Sequence, residues 1–134
     1  MASIFTKIIQ GEIPCEKIIE TDAEIAFLDI MPSASGHTLV IPKFEVMRLE
    51  DLPETQAISL MRTLQQVAKA VSTAFNGIDY NLILNNGANA GQEVKHIHFH
   101  VLPRLEGSPG PFRKHIQYAE GEMQEVGARI RNYL

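Results

Sequence analysis

Tryptophan is absent from this sequence, cysteine occurs once, at Cys15, and aromatic residues make up only 7%. One cysteine closes no disulfide within the chain, so packing and hydrogen bonds have to hold the fold. No apolar run approaches the about 20 residues that a membrane-spanning helix needs. Charge is scarce too: charged residues are 21% of the chain and the net charge is −4. A slightly acidic chain is poorly suited to a long polyanion, so no nucleic-acid partner is expected. The first residues, MASIFTKIIQGEIPCE, lack a basic stretch followed by an unbroken apolar one. No secretory signal and no membrane partner are therefore expected, and a reducing, cytoplasmic setting is the default. What is present is ordinary: 134 residues, 45% of them hydrophobic, enough for one domain with its own core.

Local patterns divide the chain into short elements. Ser3 caps a first helix with Ile4, Phe5, Ile8 and Ile9 as its apolar positions, and Gly11 closes it. Glu16–Glu20 and Glu24–Ile30 read as strands joined by a turn at Thr21-Asp22, and Gly36–Lys43 as a third. In that third strand Leu39 and Ile41 face one way and Val40 the other, and Pro42 marks its end or an edge. The longest periodic segment runs from Leu52 to Phe75. Ala57, Leu60, Met61, Leu64, Val67, Ala68, Val71 and Phe75 fall at three- and four-residue steps. Asp51 and Glu54 have the spacing of a capping box, Pro53 suits a first turn, and Asn76-Gly77 stops the helix. Asp79–Asn85 and Val94–Arg104 read as further strands around a Gly/Asn-rich loop, NGANAGQ, and GSPGPF at Gly107–Phe112 reads as a turn. Met123, Val126, Ile130 and Leu134 form the stripe of a last helix. Strands in succession with a single long helix among them predict an α+β fold on an antiparallel sheet.

The chemistry concentrates in His96, His98 and His100, three of five histidines. On a strand, alternate residues share a face at ~7 Å intervals, so the imidazoles project together while Ile97, Phe99 and Val101 face the core. Such a row suits either a metal site or a nucleophilic imidazole, since neutral imidazole attacks well near neutral pH. The preceding loop offers Asn85, Asn89, Gly91 and Gln92, which are amide donors and glycines that let backbone N–H groups approach an anion. A cation needs acceptors, so the loop favours phosphate.

The run His96-Ile97-His98-Phe99-His100-Val101-Leu102 is a complete His-φ-His-φ-His-φ-φ motif, with φ apolar. With IFTKIIQGEIP, AFLDIMPSASGHTLVIPK and LNNGANAGQEVKHIHFHVLPR in order along the chain, it resembles the histidine triad (HIT) superfamily, nearest its Hint-like and bacterial branch. The third histidine, His100, sets it apart from the galactose-1-phosphate uridylyltransferase branch, which has glutamine there. The resemblance implies a HIT-like fold: a five-stranded antiparallel sheet with one long helix and short terminal helices. It divides the chain into a HIT domain over residues 1–106 and a C-terminal extension with a final helix over 107–134. It implies hydrolysis of a purine nucleoside 5′-phosphoramidate or related conjugate to the monophosphate, by a homodimer that uses no cofactor. By position, His98 matches the nucleophile that carries a nucleotidyl intermediate. His100 and His37 match phosphate-contacting or proton-transfer residues, and His96 a member that holds the array. Asn85, Gln92 and Gly91 match groups around the phosphate and leaving group, Asp29 the acid that binds the ribose hydroxyls, and Phe5, Ile8, Phe27 and Ile30 the walls of the purine pocket.

Departures from the pattern carry their own expectations. Many bacterial relatives hold structural zinc with Cys-x-x-Cys in the first helix and a histidine after the IPK segment. Ser3, Thr6 and Glu45 stand at those places here, so no metal is expected. Glu93 follows the loop glutamine where the Hint branch has serine; an ionised carboxylate there has no proton to give a leaving group. His115, in the extension, reads as a surface residue. Two other readings of the same residues stay open: a nucleotide-binding regulator with incidental turnover, and a metalloprotein using the His96/His98/His100 face.

Overall fold

The computed structural model describes residues 3–107 and 115–134. The elements are α1 (Ile4–Ile9), β1 (Lys17–Glu20), β2 (Glu24–Leu28), β3 (Thr38–Pro42), α2 (Glu54–Ala74), β4 (Asp79–Leu84), β5 (Phe99–Arg104) and α3 (Glu122–Arg131). The strands form one five-stranded sheet in the order β1-β2-β3-β5-β4, with every pairing antiparallel. This is the α+β arrangement expected from the sequence. Among the described residues no helix is long and apolar enough to cross a membrane. The Gly/Pro-rich turn expected at Gly107–Phe112 lies, from residue 108 on, outside the described residues.

Alternation along the strands gives the sheet two apolar faces. Val40, Ala26, Leu28 and Val101 point to the face covered by α2 and α3, where they meet Leu60, Leu64, Val67, Val71, Val126 and Ile130. Leu39, Ile41, Ile25 and Phe27 point the other way and pack with Phe5 of α1. Leu39 and Ile41 thus oppose Val40 as their alternation predicts, and Pro42 is the last residue of β3. Ser3 caps α1 by accepting the Thr6 N–H at 3.2 Å. Asn76 and Gly77, both at positive φ, follow the end of α2.

Several expectations are corrected. No capping box closes α2: Pro53 is its N-cap, and Asp51 belongs to a separate single turn, Leu49–Asp51, that precedes it. Met61 is 49% exposed and Leu134 50%, so each helix buries a narrower stripe than its periodicity suggests, while Thr63 and Ala70 are buried instead. β5 starts at Phe99, not Val94. Its approach leaves the ladder because the Ile97 N–H donates to the Val46 carbonyl at 2.8 Å, in the loop beyond β3.

A carboxylate is built into the core. The Glu24 carboxylate, 1% exposed, accepts from the hydroxyls of Thr63 at 2.6 Å, Ser59 at 2.7 Å and Thr21 at 3.1 Å. It ties β2 to α2.

Candidate active site

His100 pairs directly with Leu39 across β5 and β3, so its ring lies on the α1 face of the sheet. His98 stands beside it, with ring centroids 4.9 Å apart, closer than the backbone repeat alone suggests. Phe5 of α1 meets the His98 ring edge-on, also at 4.9 Å, and contacts His96 at 6.0 Å. Val101 and Ile97 are fully buried. The histidine row therefore projects from an anchored backbone although only its last member lies within the ladder.

Hydrogen bonds to fixed backbone groups assign the tautomers. His98 Nδ1 lies 2.7 Å from the His96 carbonyl, which can only accept. Nδ1 therefore holds the proton and Nε2 holds the lone pair. His96 Nε2 donates to the Pro42 carbonyl at 2.7 Å, tying the row to the end of β3. His37 Nδ1 accepts the Ser33 N–H at 3.0 Å, so the neutral ring carries its proton on Nε2. That proton points at His100 Nδ1, 2.9 Å away, which leaves His100 protonated on Nε2. A lone pair on His98 and an N–H on His100 are the result: a nucleophile beside a donor for the oxygens of its target.

Burial keeps these rings neutral. It pushes His37 down to about 4 and His100 down to about 3, and it lowers His98 and His96 as well. Asp29 is pushed up by burial, offset in part by the Met31 N–H that its Oδ1 accepts at 2.9 Å. Its Oδ2 lies 3.7 Å from His37 Nε2; with His37 neutral this is a polar contact and not an ion pair.

These groups line a cavity of about 420 Å³ whose walls include Asp29, His37, His98, His100, Asn85, Gly91, Glu93, Phe5 and Ile30. Nine of the residues expected at the site thus converge. Four do not line it. Phe27 and Ile8 belong to the apolar packing around Phe5. Gln92 is buried as a loop brace: its Oε1 accepts the Gly87 N–H at 2.7 Å and its Nε2 donates to the Met47 carbonyl at 2.8 Å. His96 lines a separate cavity of about 570 Å³ with Ser3, Thr6 and Glu45. There Thr6 Oγ1 donates to the Glu45 carboxylate and lies 3.3 Å from Ser3 Oγ, so the three residues at the zinc-ligand places of relatives are joined by hydrogen bonds. His115, read as a plain surface residue, is exposed yet lines the cavity beside Asp29 and His37. Its return from the extension has no local signal in the sequence. Among the described residues, the three groups placed to share one cation are Asp29, His37 and His100, with ligand atoms within 4.8 Å of one another, rather than the His96/His98/His100 row.

Comparison with known proteins agrees with this fold. The family model described as HIT domain matches residues 10–107. An uncharacterised HIT-like protein of Methanocaldococcus jannaschii is 43% identical over 129 residues, covering 96% of this chain and 98% of that one. The adenosine 5′-monophosphoramidase HNT1 of Saccharomyces cerevisiae is 44% identical over 109 residues, covering 81% of this chain and 66% of that one. Among solved structures, a HIT-like protein of Bartonella henselae superimposes with a TM-score of 0.88 at 39% identity, covering 98% and 96% of the two chains. A zinc-bound histidine triad protein of Mycobacterium smegmatis gives 0.85 at 34% identity, covering 99% and 93%. The chain belongs to the HIT family, and its fold is the HIT fold.

Proposed function

We propose that this protein hydrolyses purine nucleoside 5′-phosphoramidates, or closely related nucleotide conjugates, to the nucleoside monophosphate through a covalent nucleotidyl-His98. The observation that carries the reading is the 2.7 Å contact of His98 Nδ1 with the His96 carbonyl, which reserves Nε2 for attack. Burial lowers the affinity of that ring for protons and keeps it nucleophilic at neutral pH.

In the first step His98 Nε2 forms a bond to the α-phosphorus and the P–N bond breaks. The leaving amine takes up one proton from solvent, on the open side where exposed Glu93 stands. His100 donates from Nε2 to a phosphoryl oxygen without losing its proton, and the charged nucleotidyl-imidazole keeps its Nδ1–H on the His96 carbonyl. Water then attacks phosphorus and gives up a proton, and the P–Nε2 bond breaks to release the monophosphate and neutral His98. Asp29 Oδ2 suits the two hydroxyls of a ribose, because a carboxylate accepts both. Relatives named as adenosine 5′-monophosphoramidases support the substrate class.

The reading includes a homodimer working in the cytoplasm, where a lone cysteine stays reduced. β4 is an edge strand whose Tyr80 and Leu82 are 40% and 45% exposed, and α2 leaves Ile58 and Met61 54% and 49% exposed, which supports self-association through joined sheets or packed helices.

The test is turnover of an adenosine phosphoramidate with acid quenching and mass spectrometry of the protein. The parent is expected to release AMP and to show an adenylyl adduct on His98. His98→Asn is expected to retain AMP binding and lose turnover by at least about a thousandfold, the scale of losing a nucleophile. Turnover by His98→Asn near the parent rate overturns the reading.

A further inference from the structure

We infer that His115 is a further ligand-contacting residue, binding the phosphate of the bound nucleotide through Nε2; this rests on the nucleotide reading above. The proposal starts from how the ring is held. His115 Nδ1 lies 2.8 Å from the Met31 carbonyl, which can only accept, so Nδ1 carries a proton and Nε2 is the ring nitrogen left for a partner. The same device, an Nδ1–H on a backbone carbonyl, orients His98.

The backbone around His115 is fixed on the same side of the site. The Ile116 N–H donates to the Pro32 carbonyl at 2.8 Å, and the Gly36 N–H donates to Tyr118 Oη at 2.9 Å. Tyr118 is half-buried against the main core. The returning chain therefore runs along the segment that joins Asp29 to His37 and delivers an exposed imidazole to the cavity holding both.

Chemistry selects the phosphate as its target. With Nδ1–H committed to Met31, Nε2 binds an anionic oxygen only as the imidazolium, which yields a charge-assisted hydrogen bond. The buried rings are held neutral, so they supply dipoles and not positive charge. His115 stands exposed at the open edge of the cavity, where an imidazolium would add the cation that a phosphate favours.

The experiment compares binding of AMP and of adenosine by calorimetry to the parent, His115→Ala and His115→Asn. Asparagine keeps an N–H near Nδ1 for the Met31 carbonyl but has nothing at the place of Nε2. Both variants are expected to bind AMP roughly ten- to a hundredfold more weakly, the scale of one charge-assisted hydrogen bond, and adenosine about as the parent does. Because His115 is exposed, neither change opens a cavity in the core. AMP affinity restored in His115→Asn assigns the ring only to tethering Met31 and overturns the proposal. Equal loss for adenosine and AMP also overturns it, by removing phosphate as the target. A parent that binds neither compound defeats the nucleotide reading and this one with it.

Discussion

His37 Nε2 and His100 Nδ1 face each other at 2.9 Å, and the Ser33 N–H on the far side of His37 decides which of them holds the proton between. A backbone amide thus sets the tautomer of a ring two hydrogen bonds away, and through it the donor beside the nucleophile. His37 is a positioning residue in this scheme. His37→Ala removes the Nε2–H that His100 Nδ1 accepts and is expected to lower kcat about ten- to a hundredfold, with a smaller change in KM, given the usual worth of a buried hydrogen bond. His37→Gln places an amide N–H near the lost Nε2–H and is expected to recover part of kcat. Steady-state kinetics on the two variants decides this; identical kcat for both removes His37 from the proton order.

Acid should weaken the fold before it protonates the site. The unfolded chain takes up protons at its histidines as pH falls through about 6.5, whereas buried His37 and His100 resist until about 4 and about 3. The unfolded state then binds more protons, so stability is full above about pH 6.5 and falls on acidification, by up to about 1.4 kcal/mol per pH unit for each such ring. The loss levels off once the folded rings protonate. Urea unfolding between pH 7 and pH 4.5 measures this slope, and His37→Gln should reduce it. A flat profile would show that the rings are not held neutral. The acid limb of kcat/KM is likewise expected below the ordinary imidazole value, because burial lowers His98 too.

Gly36 has no substitute. Its φ is +88°, and a Cβ there would lie 2.6 Å from Phe75 Cε2. Gly36→Ala is expected to cost about 2–4 kcal/mol, from left-handed backbone and overpacking together. It should also reduce turnover, because the displaced backbone carries His37. A thermal melt within a degree of the parent would contradict the contact.

Glu24→Ala should be similarly costly although Glu24 does not line the site cavity. Three hydroxyls lose their acceptor, and Thr63 is buried. About 2–4 kcal/mol is the expected loss in a urea titration, the scale of buried donors left unpaired. Turnover in the surviving folded fraction should be unchanged.

Much of this was readable in the chain because it depends on short-range periodicity. The opposition of Leu39 and Ile41 to Val40 and the reach of α2 follow from side-chain repeats of two and 3.6, as does the placing of His98 beside His100. What escaped depends on partners distant in sequence. Nothing near Val94 signals that Ile97 will bond to Val46 and leave the ladder. Gln92 looks like a phosphate donor until the Met47 carbonyl and the Gly87 N–H claim both ends of its amide. Glu24 looks like an ordinary surface acid at the start of a strand, and His115 like a stray polar residue, because their partners lie on elements that only the folded chain brings close.

The corner where Ser3, Thr6 and Glu45 meet fastens α1 with oxygen atoms alone. Hydrogen bonds between side-chain oxygens thus anchor, at this corner, the helix that seats Phe5 against His98. Peroxide, which would oxidise a thiolate-held version of this corner, finds no sulfur among these three residues.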